Sequence, residues 1–321
     1  MSDGRTSTSA LPHGPAGSDH DSALVTTGVI GVGVLAVAFS APLITAIAAP
    51  ALAVAFWRNA FGAIAGAPFT LATRRDELRS LLGPQRRTLY LAVVAGLALA
   101  LHFGLWIPSL RLTSVTASTA LATTTPLWTV VMTRLLGQHV PRGVVLGVVV
   151  AVTGVLVVTG VDASGSAQAL QGDLLALGGG AAGAGYVVAG AEVRRTVGTA
   201  TYTLVAYTTC AVVLLAVCLV SGTSLSGYSA RTWVELALLT LTAQLLGHSL
   251  LNRALRSAGA TTVALAILLE VPGASLVAWV WLGQVPPLAV VPGAALVLAG
   301  IAVVIRSQST SRRAVAEAPA P

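Results

Sequence analysis

Four ionisable side chains stand inside long apolar stretches of this sequence: Arg58, His102, His248 and Glu270. A charge at the centre of a bilayer costs roughly 2.5–3.5 kcal/mol or more, so each of them must face protein or a wet cavity. Glu270 lies two residues before Pro272, and a proline in a helix frees a backbone carbonyl nearby. A carboxylate there is either a proton-coupling or cation-binding group, or a structural partner of Arg58 or of a freed backbone donor. Arg58, in the run AlaPheTrpArgAsnAla, offers planar bidentate donors to a substrate carboxylate or phosphate. The alternative is that it neutralises Glu270 or snorkels outward. His102 and His248 have the chemistry of a proton relay near neutral pH, or each simply donates to a neighbouring carbonyl.

Around Pro126 the chain is rich in hydroxyls: Thr113, Thr116, Ser118, Thr119, Thr123, Thr124, Thr125 and Thr129. Such groups re-satisfy a broken backbone or line a wet cavity. Phe39, Trp57, Trp106, Trp128, Tyr186 and Trp279 are candidate walls for an organic solute, or anchors at the membrane interface. GlyxxxGly spacings at Gly62/Gly66, Gly143/Gly147 and Gly179/Gly183 fit close helix packing. The expected substrate-binding or coupling set is Glu270, Arg58, His102, His248, Trp57, Trp106, Thr124, Thr125, Trp128 and Tyr186.

The elements that position these groups follow from composition. Of 321 residues 55% are hydrophobic and 9% charged, against about a quarter charged in a soluble domain. Apolar runs of membrane-spanning length place helices near 24–47, 50–72, 88–110, 113–135, 143–161, 173–193, 201–221, 232–253, 260–282 and 288–306. The fold class is therefore an all-α integral membrane protein with ten transmembrane helices. The glycines Gly178, Gly179, Gly180 and Gly183 weaken helix propensity in the sixth.

The net charge is +7 and all 18 basic residues are arginine. They lie in short breaks between apolar runs rather than along a stripe, which argues against a nucleic-acid partner and for topology signals. With the N-terminus inside, inside segments hold 15 arginines and outside segments only Arg111 and Arg231, so both termini are expected in the cytoplasm. Residues 1–22 match a signal peptide poorly, and the first helix is expected to stay as an anchor. Cys210 and Cys218 share one apolar segment, and no CxxC metal motif occurs. No cofactor or metal is implied.

Sliding the chain against itself by 146 residues aligns His102 with His248, Leu105 with Leu251, Thr116 with Thr262, Ala120 with Ala266 and Pro126 with Pro272. The same offset aligns Gly137-Gln138 with Gly283-Gln284, Pro141 with Pro287, Gly147 with Gly293 and Gly154 with Gly300. A shared bias toward Ala and Val would not match His, Pro and Gly-Gln in order. The implied units are a cytoplasmic tail at 1–22, a five-helix repeat at 23–161, an extracytoplasmic linker at 162–172, a second repeat at 173–306 and a tail at 307–321, with both tails disordered. An odd number of helices per unit makes the second copy inverted, and two such copies can exchange roles to open on opposite sides.

The stretches HFGLWIPSLRLTSVTASTALATTTPLW (102–128) and GHSLLNRALRSAGATTVALAILLEVPGASLVAWVWLGQ (247–284), with AlaPheTrpArg ending at Arg58, resemble the EamA family of the drug/metabolite transporter superfamily over roughly residues 24–306. The resemblance implies a secondary transporter of the cytoplasmic membrane, often an exporter of amino acids, metabolites or amphipathic compounds, with a cavity between its repeats. Glu270 matches the family's ninth-helix Glu and Arg58 its second-helix Arg. Val271 here separates Glu270 from Pro272, where the family commonly has Pro directly after Glu, and Gln138 and Gln284 stand where it often has Glu. The expected partners are a small-molecule solute, the lipid bilayer and a proton as one coupling ion. A membrane-embedded enzyme on lipid or isoprenoid substrates would need paired carboxylates, a His-rich metal site or an activated nucleophile. A non-transporting scaffold or sensor would usually carry a soluble effector domain.

Overall fold

The computed structural model describes residues 17–113, 115–159, 166–282 and 290–316. Every regular element among them is helical, as expected for apolar runs that must satisfy their own backbone bonds away from water. In chain order these are α1 (Gly17–Ala38), α2 (Ser40–Ala46), α3 (Ala51–Thr73), α4 (Arg75–Leu82), α5 (Arg86–Ser109), α6 (Val115–Ala122), α7 (Thr125–Leu135) and α8 (Arg142–Thr159). There follow α9 (Ala167–Val193), α10 (Thr199–Val220), α11 (Ala230–Leu239), a π-helical segment (Thr240–His248), α12 (Ser249–Ile267), α13 (Glu270–Leu282) and α14 (Val290–Ala316). Among the described residues five helical stretches are long and apolar enough to cross a membrane: Leu24–Ala46, Arg86–Ser109, Ala167–Val193, Thr199–Val220 and Ala230–Ile267.

Three apolar runs are broken in mid-course, each just before a proline. The first breaks at Phe39, ahead of Pro42; the second at Thr123–Thr124, ahead of Pro126; the third at Leu268–Leu269, ahead of Pro272. A proline lacks the amide hydrogen that would close the preceding turn. At the second break the Thr125 hydroxyl takes over, donating to the Ala122 carbonyl at 3.1 Å. The run from Ala230 to Ile267 turns at Gly259, whose φ of 79° is a left-handed conformation that glycine adopts without steric cost.

Several boundaries differ from the sequence expectation. α9, whose glycines weaken the prediction, is 27 residues long and takes in residues 167–172 of the expected linker; its N-cap Ser166 accepts from the Ala169 amide. Residues 160–165 of the linker region, and the Gly283-Gln284 and Pro287 partners of the repeat, lie outside the described residues. Helix also extends into both expected tails, from Gly17 in α1 and through Ala316 in α14. The amphipathic α4 was not anticipated. Its Asp76 and Glu77 in the first turn and Arg79 in the last complement the helix dipole.

Glycine sets the closest helix pair. A Cβ on Gly147 of α8 would lie 2.7 Å from the Gly300 carbonyl oxygen of α14, and one on Gly300 would lie 2.5 Å from that of Gly147. Only glycine allows such an approach. Val144, Val148, Ala151 and Val155 bury beside Val297 and Val304 to form one apolar cluster, and a larger one unites α3, α5, α9, α10 and the π segment.

α4 also fastens the start of α10. The Glu77 carboxylate accepts from the Gly198 amide at 2.7 Å and from the Thr201 hydroxyl, answering donors that a helix start leaves unpaired. Glu77→Ala is expected to destabilise the protein by about 1–2 kcal/mol, read as a lower thermal unfolding midpoint in detergent. An unchanged midpoint would show the cap to be idle.

Candidate functional site

The breaks converge on one central cavity of about 50 Å³. That is room for about three to five water-sized groups. Ser40 comes from the first break, Thr123 and Thr125 from the second and Glu270 from the third, while His248 closes the π segment. α5 contributes Leu99, His102 and Trp106; α9 contributes Gly183, Tyr186 and Val187; α12 contributes Leu251, Asn252 and Leu255. Discontinuous helices put polar backbone and side chains where continuous ones present only apolar faces.

Glu270 opens α13 and is 7% exposed. Among the described residues its carboxylate has no hydrogen bond and no ion pair. Arg58 acts on it electrostatically without pairing with it. The guanidinium is fully buried and committed elsewhere: Nε and Nη2 donate to Gln244 Oε1 at 3.0 and 2.8 Å, and Nη1 to the Ser40 hydroxyl at 3.3 Å. Its carbon stands 4.0 Å above the Phe103 ring centroid, a cation–π contact. Gln244 Nε2 donates in turn to Asn59 Oδ1 at 2.9 Å. Arg58 therefore neither snorkels nor forms a direct pair with Glu270, and it does not line the cavity.

His102 Nδ1 lies 2.8 Å from the Gly179 carbonyl oxygen. A carbonyl only accepts, so this nitrogen carries the proton and Nε2 is the acceptor of the neutral ring. The ring stacks on Trp106, centroids 5.6 Å apart. His248 meets Phe103 edge-on at 5.7 Å. The two histidines aligned by the 146-residue offset thus flank the same cavity. Asn252 Nδ2 donates to the Tyr186 hydroxyl at 2.5 Å. Trp106 is buried with its indole N–H unpaired among the described residues.

Besides Arg58, three expected site residues fall elsewhere. Trp57 Nε1 donates to the Leu225 carbonyl at 2.9 Å, and its ring packs with Phe56, Phe61 and Trp233; it clamps the α10–α11 loop. Thr124 donates to the Leu121 carbonyl at 2.7 Å and faces Gly180 of α9 instead of the cavity. Trp128 is half-buried on α7, outside the lining. Phe39 and Trp279 are exposed. Among the described residues no group of three His, Cys, Asp or Glu side chains is placed to hold a metal.

The model of the EamA-like transporter family matches residues 26–160 and again residues 170–306. The chain belongs to that family. It is a multi-pass membrane protein of transporter type, built from two EamA units with the central cavity lined by both. A solved crystal structure of a protein whose name states no function is similar to this EamA-like chain, with a TM-score of 0.70 at 18% identity, over 89% of this chain and 98% of its own. At that identity the likeness is one of fold. Comparison with curated proteins finds no match.

Two residues of this EamA-like site escaped the sequence reading, Gln244 and Asn252. Their signal was present: Gln244, His248 and Asn252 recur at every fourth position, the spacing that aligns side chains along one helix face. A polar line on an otherwise apolar helix marks the face turned away from lipid.

Proposed function

We propose that this protein is an alternating-access carrier that exports a small organic cation, an amine or an amphipathic ammonium compound, across the cytoplasmic membrane. The observation that carries the substrate class is the buried carboxylate of Glu270 on the central cavity, unpaired among the described residues, with the nearby cation Arg58 held away by Gln244 and Phe103. A buried anion without a partner gains most from a cationic ligand. His102, Trp106 and Tyr186 supply aromatic faces beside it, which attract ammonium groups. The same carboxylate would take up a proton when the cation leaves, so that the two are exchanged.

The proposed architecture is ten spans in two inverted five-helix repeats, with both termini cytoplasmic. It is supported by the 146-residue self-alignment, by helix breaks at Thr123–Thr124 and Leu268–Leu269 just before the aligned Pro126 and Pro272, and by the arginine asymmetry. A cavity of about 50 Å³ admits an ammonium head and little more, so larger solutes require the broken helices to move.

The test is thermal stabilisation of the purified protein by ammonium ions of graded size, by neutral isosteres of the same shape and by organic anions. Stabilisation by the cations alone is expected, since a ligand that binds only the folded state raises its stability. Equal stabilisation by the neutral isosteres, or stabilisation by anions only, would overturn the cation assignment.

A further inference from the structure

A second cavity of about 1220 Å³ lies between α1, α3, α10 and α12. No residue lines both cavities; α12 separates them, turning Leu251, Asn252 and Leu255 to the central one and Leu250, Arg253 and Ala254 to the other. One part of the second cavity is apolar, with Val25 and Val29 from α1, Phe69 from α3 and Leu204 from α10. The other is cationic. Arg74 caps the C-terminus of α3, Arg194 caps that of α9, and Arg253 and Arg256 project from α12.

Two of these arginines, Arg253 and Arg256, are free of hydrogen bonds and ion pairs among the described residues. Arg74 and Arg194 stand at helix C-termini, where a cation complements the dipole, and Arg194 also donates to the Asn252 and Val197 carbonyls. Arg253 and Arg256 lie in the two turns before the break at Gly259 and donate to no carbonyl among the described residues. They are exposed and three residues apart on one helix. Like charges at that spacing repel, and both bear unfavourably on Arg194 as well. The cavity's one carboxylate, Glu77, is already engaged with the Gly198 amide and the Thr201 hydroxyl. Glu77 offsets part of the charge at Arg194, and four arginines against one carboxylate leave a net positive cluster next to an apolar trough.

We propose that this cavity is a binding site for an anionic phospholipid, with the headgroup phosphate held by Arg253 and Arg256 and an acyl chain lying along Val25, Val29 and Phe69. Basic pockets between membrane helices are suited to anionic headgroups. The apolar trough favours a lipid over a free phosphate ester, because a soluble anion would leave those side chains uncovered. The site is independent of the solute reading, and its occupancy would favour the arrangement of α1, α3 and α12 seen here.

The test titrates the purified full-length protein in neutral detergent with phosphatidylglycerol, phosphatidylcholine and sn-glycerol 3-phosphate, following the unfolding midpoint. Phosphatidylglycerol is expected to raise the midpoint, phosphatidylcholine to leave it unchanged, and sn-glycerol 3-phosphate to act only at far higher concentration. In the double variant R253Q/R256Q the apparent affinity for phosphatidylglycerol is expected to fall about thirtyfold. Val29→Trp, which fills the trough and leaves the arginines, is expected to weaken phosphatidylglycerol binding without changing the response to sn-glycerol 3-phosphate. An unchanged affinity in the double variant, or an equal response to phosphatidylcholine, overturns the proposal. So does a soluble phosphate ester that matches the lipid, which would assign the pocket to a free anion. Should the double variant not fold, Val29→Trp decides alone: phosphatidylglycerol binding intact in that variant excludes the lipid.

Discussion

Glu270→Gln is expected to lower cation flux in proteoliposomes by about a hundredfold or more while leaving the protein folded. The substitution keeps the size and shape of the side chain and removes only its charge. The native carboxylate has no hydrogen-bond partner among the described residues, so no structural bond is broken. Without a bound cation the carboxyl carries a proton on this reading, and the neutral amide matches it in size and polarity, so the unfolding midpoint should hold. Loss of flux together with retained stability separates a transport role from a structural one. Thermal stabilisation by ammonium ions should disappear in parallel, because the attraction resides in the charge. Flux at the parent level in this variant would remove Glu270 from the site and leave the fold untouched. Glu270→Asp, which retains the charge on a shorter stem, is expected to transport measurably with altered size preference.

Much of the fold was legible because a bilayer narrows what an apolar run can become. Pro126 and Pro272 marked in sequence where a backbone carbonyl is freed, although the helices expected at 113–135 and 260–282 run unbroken across them and the structure divides both. Gly147 belonged to a GlyxxxGly spacing that fits close packing, and α8 meets α14 there; its partner Gly300 stood in sequence only as the repeat mate of Gly154. The partner of Arg58 was not legible. Gln244 lies 186 residues away, and the polar line it forms with His248 and Asn252 marks a helix face without saying which residue stands opposite. Trp57 was misplaced for a different reason: an indole suits a pocket wall, an interface or a clamp equally, and only the approach of the loop at Leu225 decides. The expected tails failed at their inner ends, where Ser307 to Ala316 continue as helix. Polar composition speaks against burial, and it does not speak against a helix that projects from the membrane.

Gln244→Leu is expected to destabilise the protein by about 3–5 kcal/mol, the cost of leaving a buried charge without its partner. Gln244 Oε1 accepts two of the three side-chain hydrogen bonds recorded for Arg58, and its amide nitrogen satisfies Asn59 Oδ1. Leucine supplies neither. The remaining contacts of the guanidinium, the Ser40 hydroxyl and the Phe103 face, are too weak to replace a bidentate acceptor. A buried cation with one missing acceptor is worse than no cation, so R58L/Q244L should recover much of the loss that Q244L alone incurs. Equilibrium unfolding in mixed micelles of the parent, both single variants and the double variant measures that coupling. Additive losses would mean that the two side chains act independently, and a Q244L protein as stable as the parent would mean that Arg58 finds another acceptor. Glu270 is the carboxylate that acts on it electrostatically, so if Arg58 turns to it, cation stabilisation at the central cavity should vanish along with the native pairing. On the proposed reading Gln244 thereby keeps Arg58 away from the carboxylate and leaves the central cavity open to a cation from outside the protein.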